Sequence, residues 1–194
     1  MNLVPAGVLA PGQLAAVRAI YEEAFPPELR VPFAELDDHG GLLVAVEDGV
    51  PAGFASLRRL AAAMFVRYFA VAAARRRQGA GGRLWRLLPG AVPDWPGRVV
   101  FEVEDPAQAS DPAQQLARRG RIAFWRSCGT VLLPVPGYVM PDLTGAGTEP
   151  MLLMAAPACT GEQLRQLVAA IYAGRYGLAA ADPLVSRALA SVPG

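Results

Sequence analysis

The sequence predicts a mixed α/β fold, and three features support this prediction. A strand-like apolar run is followed by the glycine-rich segment 79–82 and then by apolar residues at helical spacing. Two strand-like runs, residues 42–46 and 50–57, flank a Glu-Asp-Gly turn and predict a β-hairpin. Residues 99–104 alternate as expected for a further strand. A length of 194 residues suits one domain with a substantial core.

The N-terminal half is predicted to begin with a strand at residues 3–8. Pro11 opens a helix whose apolar residues recur at three- and four-residue spacing, and the proline pair at 26–27 ends it. The hairpin supplies the second and third strands, and residues 62–72 supply the fourth. A helix is then predicted to begin near Gly82.

The fifth strand, residues 99–104, precedes a segment rich in Pro, Ala, Gln and Arg, residues 105–121. We interpret this segment as an extended loop or an irregular lead-in to a helix that stops at Gly129, a left-handed C-cap. From about Gly161 a helix carries an apolar stripe, which would pack on the core or form a homodimer contact. Late strands are predicted at residues 131–133, 138–140 and 151–155.

The composition excludes several functional classes. A net charge of +1 gives no basis for binding nucleic acid or an anionic membrane. Proline, glycine or charge interrupts every apolar run before the roughly 20 residues that a membrane span needs. The two cysteines lack metal-ligand spacing, and one histidine, His39 in a turn-like segment, offers little to a metal site or a histidine-based triad. Without a signal-peptide pattern, a cytoplasmic location is expected.

The glycine-rich segment predicts an anion site, and phosphate is the usual guest at such a strand–turn–helix connection. A P-loop needs a lysine after its glycines, but all 18 basic residues of this chain are arginine. A dinucleotide fingerprint needs a third glycine at position 84, which is leucine, and no early βαβ unit precedes it. The alternative is a plain β–α connection whose glycines only start a helix.

The segment Arg76-Arg77-Gln78-Gly79-Ala80-Gly81 resembles the Arg/Gln-x-x-Gly-x-Gly/Ala signature of the GNAT (GCN5-related N-acetyltransferase) superfamily. Phe69-Ala70-Val71 is similar to the family's Leu-Ala-Val strand, and residues 122–129 resemble its Phe-Tyr helix end. The resemblance implies a mixed, mostly antiparallel sheet of about six to seven strands, splayed between strands four and five and flanked by helices. It covers residues 1–156 of a single 1–194 domain, with residues 157–194 as a helical extension.

The resemblance also implies acetyl-CoA, or another acyl-CoA, as co-substrate, with no metal. The strand backbone would pair with the pantetheine arm, the loop amides would hold the pyrophosphate, and the Val71 amide would polarise the thioester carbonyl. The cofactor-binding residues carried over in this way are Phe69, Ala70, Val71, Arg76, Arg77, Gln78, Gly79, Ala80, Gly81 and Gly82.

The catalytic residues depart from the family's pattern. Trp125 stands where the family commonly has a tyrosine as proton donor, and an indole N–H is not an acid near neutral pH. The departing thiolate would instead take its proton from Tyr138 on a neighbouring strand or from water. Glu102 and Glu104, on one face of the fifth strand, are the candidate bases, with a salt-bridge role as the alternative.

The candidate acceptor site carries both signs of charge. Glu22 and Phe25 belong to the first helix and following loop, which in bacterial family members lines the acceptor side, although Glu22 also fits a solvated helix face. Arg67 replaces a glutamate that many members carry on strand four. It would either bind a carboxylate on the acceptor or pair with Glu102 or Glu104.

The predicted function is acyl transfer, most simply acetyl transfer, from CoA to the amine of a small metabolite by direct attack. Two alternatives stay open because Trp125 and Arg67 depart from the family's pattern. One is a CoA-binding module without catalysis, and the other is a GNAT fold used for different biosynthetic chemistry.

Overall fold

The computed structural model describes residues 1–61, 63–141 and 147–194, with the side chains of Glu28 and His39 excepted. The chain divides into two compact units, one formed by Met1–Arg58 with Val66–Trp95 and the other by Arg59–Phe65 with Pro96–Gly194. Both units contain helices as well as strands, which confirms the mixed α/β fold.

The first unit contains most of the N-terminal strands. These are β1 (Asn2–Pro5), β2 (Leu42–Glu47), most of β3 (Val50–Arg59) and the larger part of β4 (Met64–Val71). They are neighbours in that order, and β1 pairs antiparallel with β2, as β2 does with β3. Two helices belong to the same unit, α1 (Pro11–Ala24) and α2 (Ala80–Ala91).

The predicted hairpin is confirmed, and its turn shows why the sequence specifies it. Asp48 and Gly49 have φ angles of 52° and 78°. Two successive left-handed residues match the twist of the flanking strands, and Asp and Gly tolerate that conformation. The first unit then closes its core between the sheet and α1, around Val17, Tyr21 and Phe54.

The second unit is built on β5 (Val99–Glu104) and β8 (Thr148–Ala156), which pair antiparallel along their length. The first residues of β4 pair with β5 in a parallel register, Met64 with Val99 and Phe65 with Val100. Two short strands, β6 (Val131–Leu132) and β7 (Val139–Pro141), pair antiparallel with β8. The described strands thus number eight rather than six to seven, and antiparallel pairing predominates as predicted.

Residues 105–121 differ from the prediction, because most of them form regular helix. Helix α3 (Pro112–Ser127) begins at Asp111, whose side chain accepts a hydrogen bond from the Gln114 amide as an N-cap. Pro112 follows at the first helical position, which proline favours. The end of α3 is as predicted, since Gly129 has a φ of 85° just beyond it.

Helix α4 (Gly161–Tyr176) carries the predicted apolar stripe. Leu164, Leu167, Val168 and Ile171 are buried in the core of the second unit, together with residues of helix α5 (Pro183–Ala190). Of the two roles predicted for the stripe, core packing is therefore the one that the structure shows. Ala62, the predicted first residue of strand four, and the glycine-containing turn at residues 142–146 lie outside the described residues.

Candidate active site

The glycine-rich turn leads from β4 into α2, and two of its residues adopt the left-handed conformation. Arg77 and Gly79 have φ angles of 59° and 74°. Gly79 is the residue that precedes the helix, which begins at Ala80 rather than near Gly82 as predicted. The glycines at 81 and 82 therefore lie inside the first helical turn, where backbone amides have no intrahelical partner.

Side chains of the turn hold its own backbone in place. Gln78 Nε2 donates to the Ala74 carbonyl at 2.8 Å, and Arg83 Nη1 donates to the Gln78 carbonyl at 3.0 Å. Arg76 Nε donates to the Val71 carbonyl at 3.1 Å, while its Nη2 lies 2.9 Å from Glu23 Oε1. Within the described part of the chain, no side chain caps the start of α2. The turn is preorganised, and its amides remain available to an anion.

The space around the turn suits a ligand that approaches the backbone. A Cβ atom on Gly82 would meet nothing within 4 Å. The opposite holds at Gly53 on β3, where a Cβ would lie 2.5 Å from the Ala70 carbonyl oxygen and 3.2 Å from Leu84 Cδ1. Gly53 thus lets β3 approach the end of β4 closely and fixes the position of the chain as it enters the turn.

The strand residues before the turn differ in exposure. Ala70 is buried, whereas Phe69 and Val71 are partly exposed. The Phe69 ring makes an edge contact with Trp85 of α2, with centroids 6.2 Å apart. This contact joins the predicted pantetheine strand to the helix whose amides would hold the pyrophosphate.

Glu102 on β5 accepts hydrogen bonds from two tyrosines. The Tyr138 hydroxyl donates to Oε1 at 2.5 Å. The Tyr176 hydroxyl, at the last residue of α4, lies 2.6 Å from Oε1 and 2.8 Å from Oε2. Glu102 is partly buried, and Tyr138 is almost fully buried. We call these three residues the Glu102 cluster.

The pKa of each member of the Glu102 cluster is raised, mainly by burial. Burial raises the pKa of the Glu102 carboxyl, and the two tyrosine hydrogen bonds and the charge of Arg175 lower it in part. Burial, followed by the nearby Glu102 charge, raises the pKa of Tyr138 and of Tyr176. Both phenols therefore stay protonated and donate to the carboxylate, and Tyr138 is a weaker acid than an ordinary phenol.

Glu104 has different partners from Glu102, although both stand on β5. Arg118 Nε lies 3.3 Å from Glu104 Oε1, and Arg121 Nη1 forms an ion pair with Glu104 Oε2. Both arginines belong to α3. Of the two predicted roles for Glu104, base or salt bridge, these contacts favour the salt bridge.

Arg67 is almost buried in the first unit, with 3% of its side chain exposed. Its Nη1 donates to the Glu35 carbonyl at 2.7 Å and lies 3.9 Å from Asp38 Oδ2. Tyr68 similarly donates to the Leu29 carbonyl at 2.9 Å. Together these side chains fasten the segment between α1 and β2, which the sequence analysis associated with the acceptor.

The remaining predicted acceptor residues lie at the end of α1. Glu22 is exposed, as expected for a solvated helix face. Phe25 is partly buried, and its ring packs on Tyr21 and Tyr68 with centroid distances of 5.5 and 5.0 Å. Phe25 thus stabilises the aromatic cluster beneath the same segment.

Trp125 is a core residue of the second unit. It is 6% exposed, and its ring contacts Phe101 at 4.4 Å and Phe124 at 4.8 Å between centroids. The position at which the family commonly has a proton-donating tyrosine is therefore occupied here by a buried packing residue.

A family model for the acetyltransferase (GNAT) family matches residues 14–121, which is more than half of the chain. The chain belongs to the GNAT family. The matched range contains the whole glycine turn and Glu102, whereas Tyr138 and Tyr176 lie beyond it.

Solved structures support the GNAT fold. A protein from Bacteroides thetaiotaomicron assigned to the GNAT family has a TM-score of 0.73 at 21% identity, over 92% of this chain and 100% of that one. GphF, a GNAT-like decarboxylase in complex with isobutyryl-CoA, has a TM-score of 0.56 at 18% identity, over 80% and 98%. The diaminobutyrate acetyltransferase EctA from Paenibacillus lautus, in complex with L-2,4-diaminobutyric acid and coenzyme A, has a TM-score of 0.51 at 19% identity, over 79% and 92%. No curated protein matches the sequence.

Sequence reasoning missed Tyr176 of this GNAT chain. The residue lies 74 positions after Glu102, in the tail for which no motif was found. A weak signal was present, because Tyr172 and Tyr176 are one helical turn apart and so share a face of α4.

The described residues of this GNAT chain show neither a metal-binding group nor a membrane-spanning helix. They contain no group of three or more His, Cys, Asp or Glu side chains arranged to hold a metal ion. None of their helices combines the length and apolar character of a membrane span.

Proposed function

We propose that this GNAT protein transfers an acyl group, most simply acetyl, from acyl-CoA to the amine of a small metabolite in the cytoplasm. The observation that carries the proposal is the preorganised turn at Arg77–Gly82. Gln78 donates to the Ala74 carbonyl and Arg83 donates to the Gln78 carbonyl, while the uncapped amides at the start of α2 remain available. An uncapped helix start of this kind binds phosphate through its amides and its dipole.

The residues around the turn fit the phosphates of CoA. Gly82 leaves open space above the helix start, and Arg76 and Arg77 are exposed cations beside it. In our proposal the amides from Gly79 to Gly82 hold the pyrophosphate, and the backbone of Phe69 to Val71 pairs with the pantetheine arm. The Val71 amide donates to the thioester carbonyl, where negative charge develops during attack.

Glu102 is the proposed base for the attacking amine. Burial raises the pKa of its carboxyl, and a base with a pKa nearer to neutral is better matched to proton transfer at physiological pH. We assign Glu104 to its ion pairs with α3 instead. Since the pKa of Tyr138 is also raised, we propose that Tyr138 orients Glu102 and that the departing thiolate takes its proton from water.

The acceptor lies beside the segment between α1 and β2 in our proposal. Arg67 and Tyr68 fasten that segment through backbone carbonyls, so they set its position. The exposed carboxylate of Glu22 would attract the acceptor while its amine is still protonated and cationic.

The test is release of free CoA thiol from acetyl-CoA across a panel of small amines, with mass detection of the acylated product. The chain contains no lysine, so its side chains provide no primary amine for self-acylation, and the background without acceptor should be low. Binding of CoA with no thiol release for any amine would contradict transfer and favour the non-catalytic module.

A second candidate is other acyl-CoA chemistry on the same fold, since Trp125 replaces the tyrosine commonly used as proton donor. The GNAT-like decarboxylase among the structural neighbours is an example. Decarboxylation of a carboxyacyl-CoA releases CO2 and keeps the thioester bond. Parallel reactions in which a carboxyacyl-CoA replaces acetyl-CoA, assayed for CO2 as well as thiol, therefore distinguish the two reactions.

A further inference from the structure

We infer that Tyr176 is a positioning residue for Glu102, which makes the end of helix α4 part of the machinery for the proposed amine deprotonation. The catalytic part of this inference rests on the proposed function. Tyr176 lies outside residues 14–121, the range that the family model matches, so the match itself assigns it no role.

The hydrogen-bond geometry carries the inference. The Tyr176 hydroxyl lies within hydrogen-bond distance of both carboxylate oxygens, at 2.6 and 2.8 Å, whereas Tyr138 reaches only Oε1. A donor shared between the two oxygens fixes the plane of the carboxylate. Oε1 accepts from both tyrosines, so Oε2 is the oxygen with more remaining capacity to take a proton from an amine.

The groups around Glu102 favour the same assignment. On α4, the Tyr176 hydroxyl and the Arg175 charge lower the pKa of the Glu102 carboxyl in part. Burial, and also the Glu102 charge, raises the pKa of Tyr172 on the same helix. From the segment before β7 comes Tyr138. On β8 the residue opposite Glu102 is the apolar Leu153. The neighbouring helix α3 directs its arginines to Glu104.

Helix α4 is a rigid support for this role. Its apolar stripe is buried in the core of the second unit, and Tyr172 donates to the Val139 carbonyl at 2.8 Å. The hydroxyl of Tyr176 is therefore held by packing that does not depend on Glu102. A hydrogen bond from a preorganised donor stabilises the ionised carboxylate and opposes the effect of burial on its pKa.

The experiment titrates Glu102 directly by infrared difference spectroscopy of its carboxyl band, which is assigned by its loss in Glu102→Gln. We expect Tyr176→Phe to move this titration to higher pH by about one to two units, because a donor to the charged form is lost. Tyr172→Phe is the comparison variant on the same helix: its hydroxyl bonds to the Val139 backbone rather than to Glu102, so it should move the Glu102 titration less than Tyr176→Phe does.

Kinetics then test the catalytic meaning. In Tyr176→Phe the acidic limb of kcat/KM should move to higher pH in parallel with the infrared titration, with the KM for acyl-CoA unchanged. An unshifted titration in a folded Tyr176→Phe protein would overturn the inference. So would a shifted titration with an unmoved acidic limb. Absence of thiol release by the wild-type enzyme is a different failure, since it overturns the proposed function and leaves the infrared test of Tyr176 decisive on its own.

Discussion

The glycine turn and the Glu102 cluster differ in what they are made of. The turn is contiguous, and its proposed ligands are backbone amides held by side chains a few residues away. The cluster joins three side chains that are 36 and 74 residues apart. A backbone site needs a particular local conformation, which glycine and its neighbours encode, whereas a side-chain site needs the whole unit to fold. The predictions below test whether the turn governs CoA binding and the Glu102 cluster governs the acyl-transfer step.

The largest effect is expected at Glu102. Glu102→Gln should lower kcat by roughly two to four orders of magnitude, because it removes the proposed base, and should leave CoA affinity unchanged. Steady-state kinetics and calorimetric CoA titration measure the two quantities. Wild-type kcat should also fall as the pH drops through the raised pKa of Glu102, since protonation removes the base.

Glu104→Gln on the same strand is the matched variant for Glu102→Gln. It breaks ion pairs with α3, and for such partly exposed pairs a loss of about 1 kcal/mol or less is expected. Turnover should stay close to wild type. Equal losses of turnover in the two variants would remove the distinction between the two carboxylates.

The second effect concerns the turn. Gly82→Asp places a negative charge in the first turn of α2, where it stabilises the helix but repels phosphate. We expect CoA affinity to fall roughly tenfold to a hundredfold, from repulsion of a few kcal/mol at close range. Gly82→Asn has nearly the same shape without the charge, so calorimetry on both variants isolates the electrostatic part. Equal affinities would exclude this helix start as the phosphate site.

The third effect concerns Arg67. Arg67→Ala should lower the free energy of unfolding by about 1.5–3 kcal/mol, because a charged donor to the Glu35 carbonyl is lost in a nearly buried place. We also expect the KM for the acceptor to rise more than the KM for acyl-CoA, as the acceptor segment loosens. Denaturant unfolding and two-substrate kinetics provide the readouts. A rise in the acceptor KM without any loss of stability would instead favour direct contact of Arg67 with the acceptor.

The smallest effect on chemistry is expected at Trp125. Trp125→Phe should change turnover little, because the indole packs in the core and is not the acid. A modest loss of stability, about 1–3 kcal/mol, is expected from the reduced packing.

Tyr138→Phe provides the contrast, since loss of its hydrogen bond to Glu102 should slow turnover by roughly one order of magnitude. A large effect at Trp125 with none at Tyr138 would reverse their assignments.

Much of the fold was predictable because it is encoded locally. The Asp-Gly hairpin and the strand before the glycine turn follow from residue types at fixed spacing. The start of α3 was missed although its signal was present, an Asp N-cap followed by proline at Asp111 and Pro112. The composition of residues 105–121 was weighed more heavily than this cap.

The candidate site was predictable only in part. The turn residues and Glu102 were named from the sequence, but the partners of Glu102 and Arg67 depend on tertiary contacts. The partners of Arg67 include a backbone carbonyl and Asp38, and a hydrogen bond to a backbone carbonyl does not depend on the identity of the residue that carries it. Tyr176 was invisible for a related reason, since only the packing of α4 brings it to β5.

The position of the glycine turn depends on Gly53, which lies on β3 rather than on the strand that precedes the turn. A methyl group there would lie 2.5 Å from the Ala70 carbonyl oxygen, so β3 and β4 would have to separate by several tenths of an ångström. β4 leads into the turn through one short 3-10 helix, Ala73–Arg75, so we expect that displacement to be transmitted to the first amides of α2. Under the proposed function, the affinity for acyl-CoA would therefore depend on the spacing of two strands, which gives directed evolution a route to altered binding that leaves every residue of the turn intact.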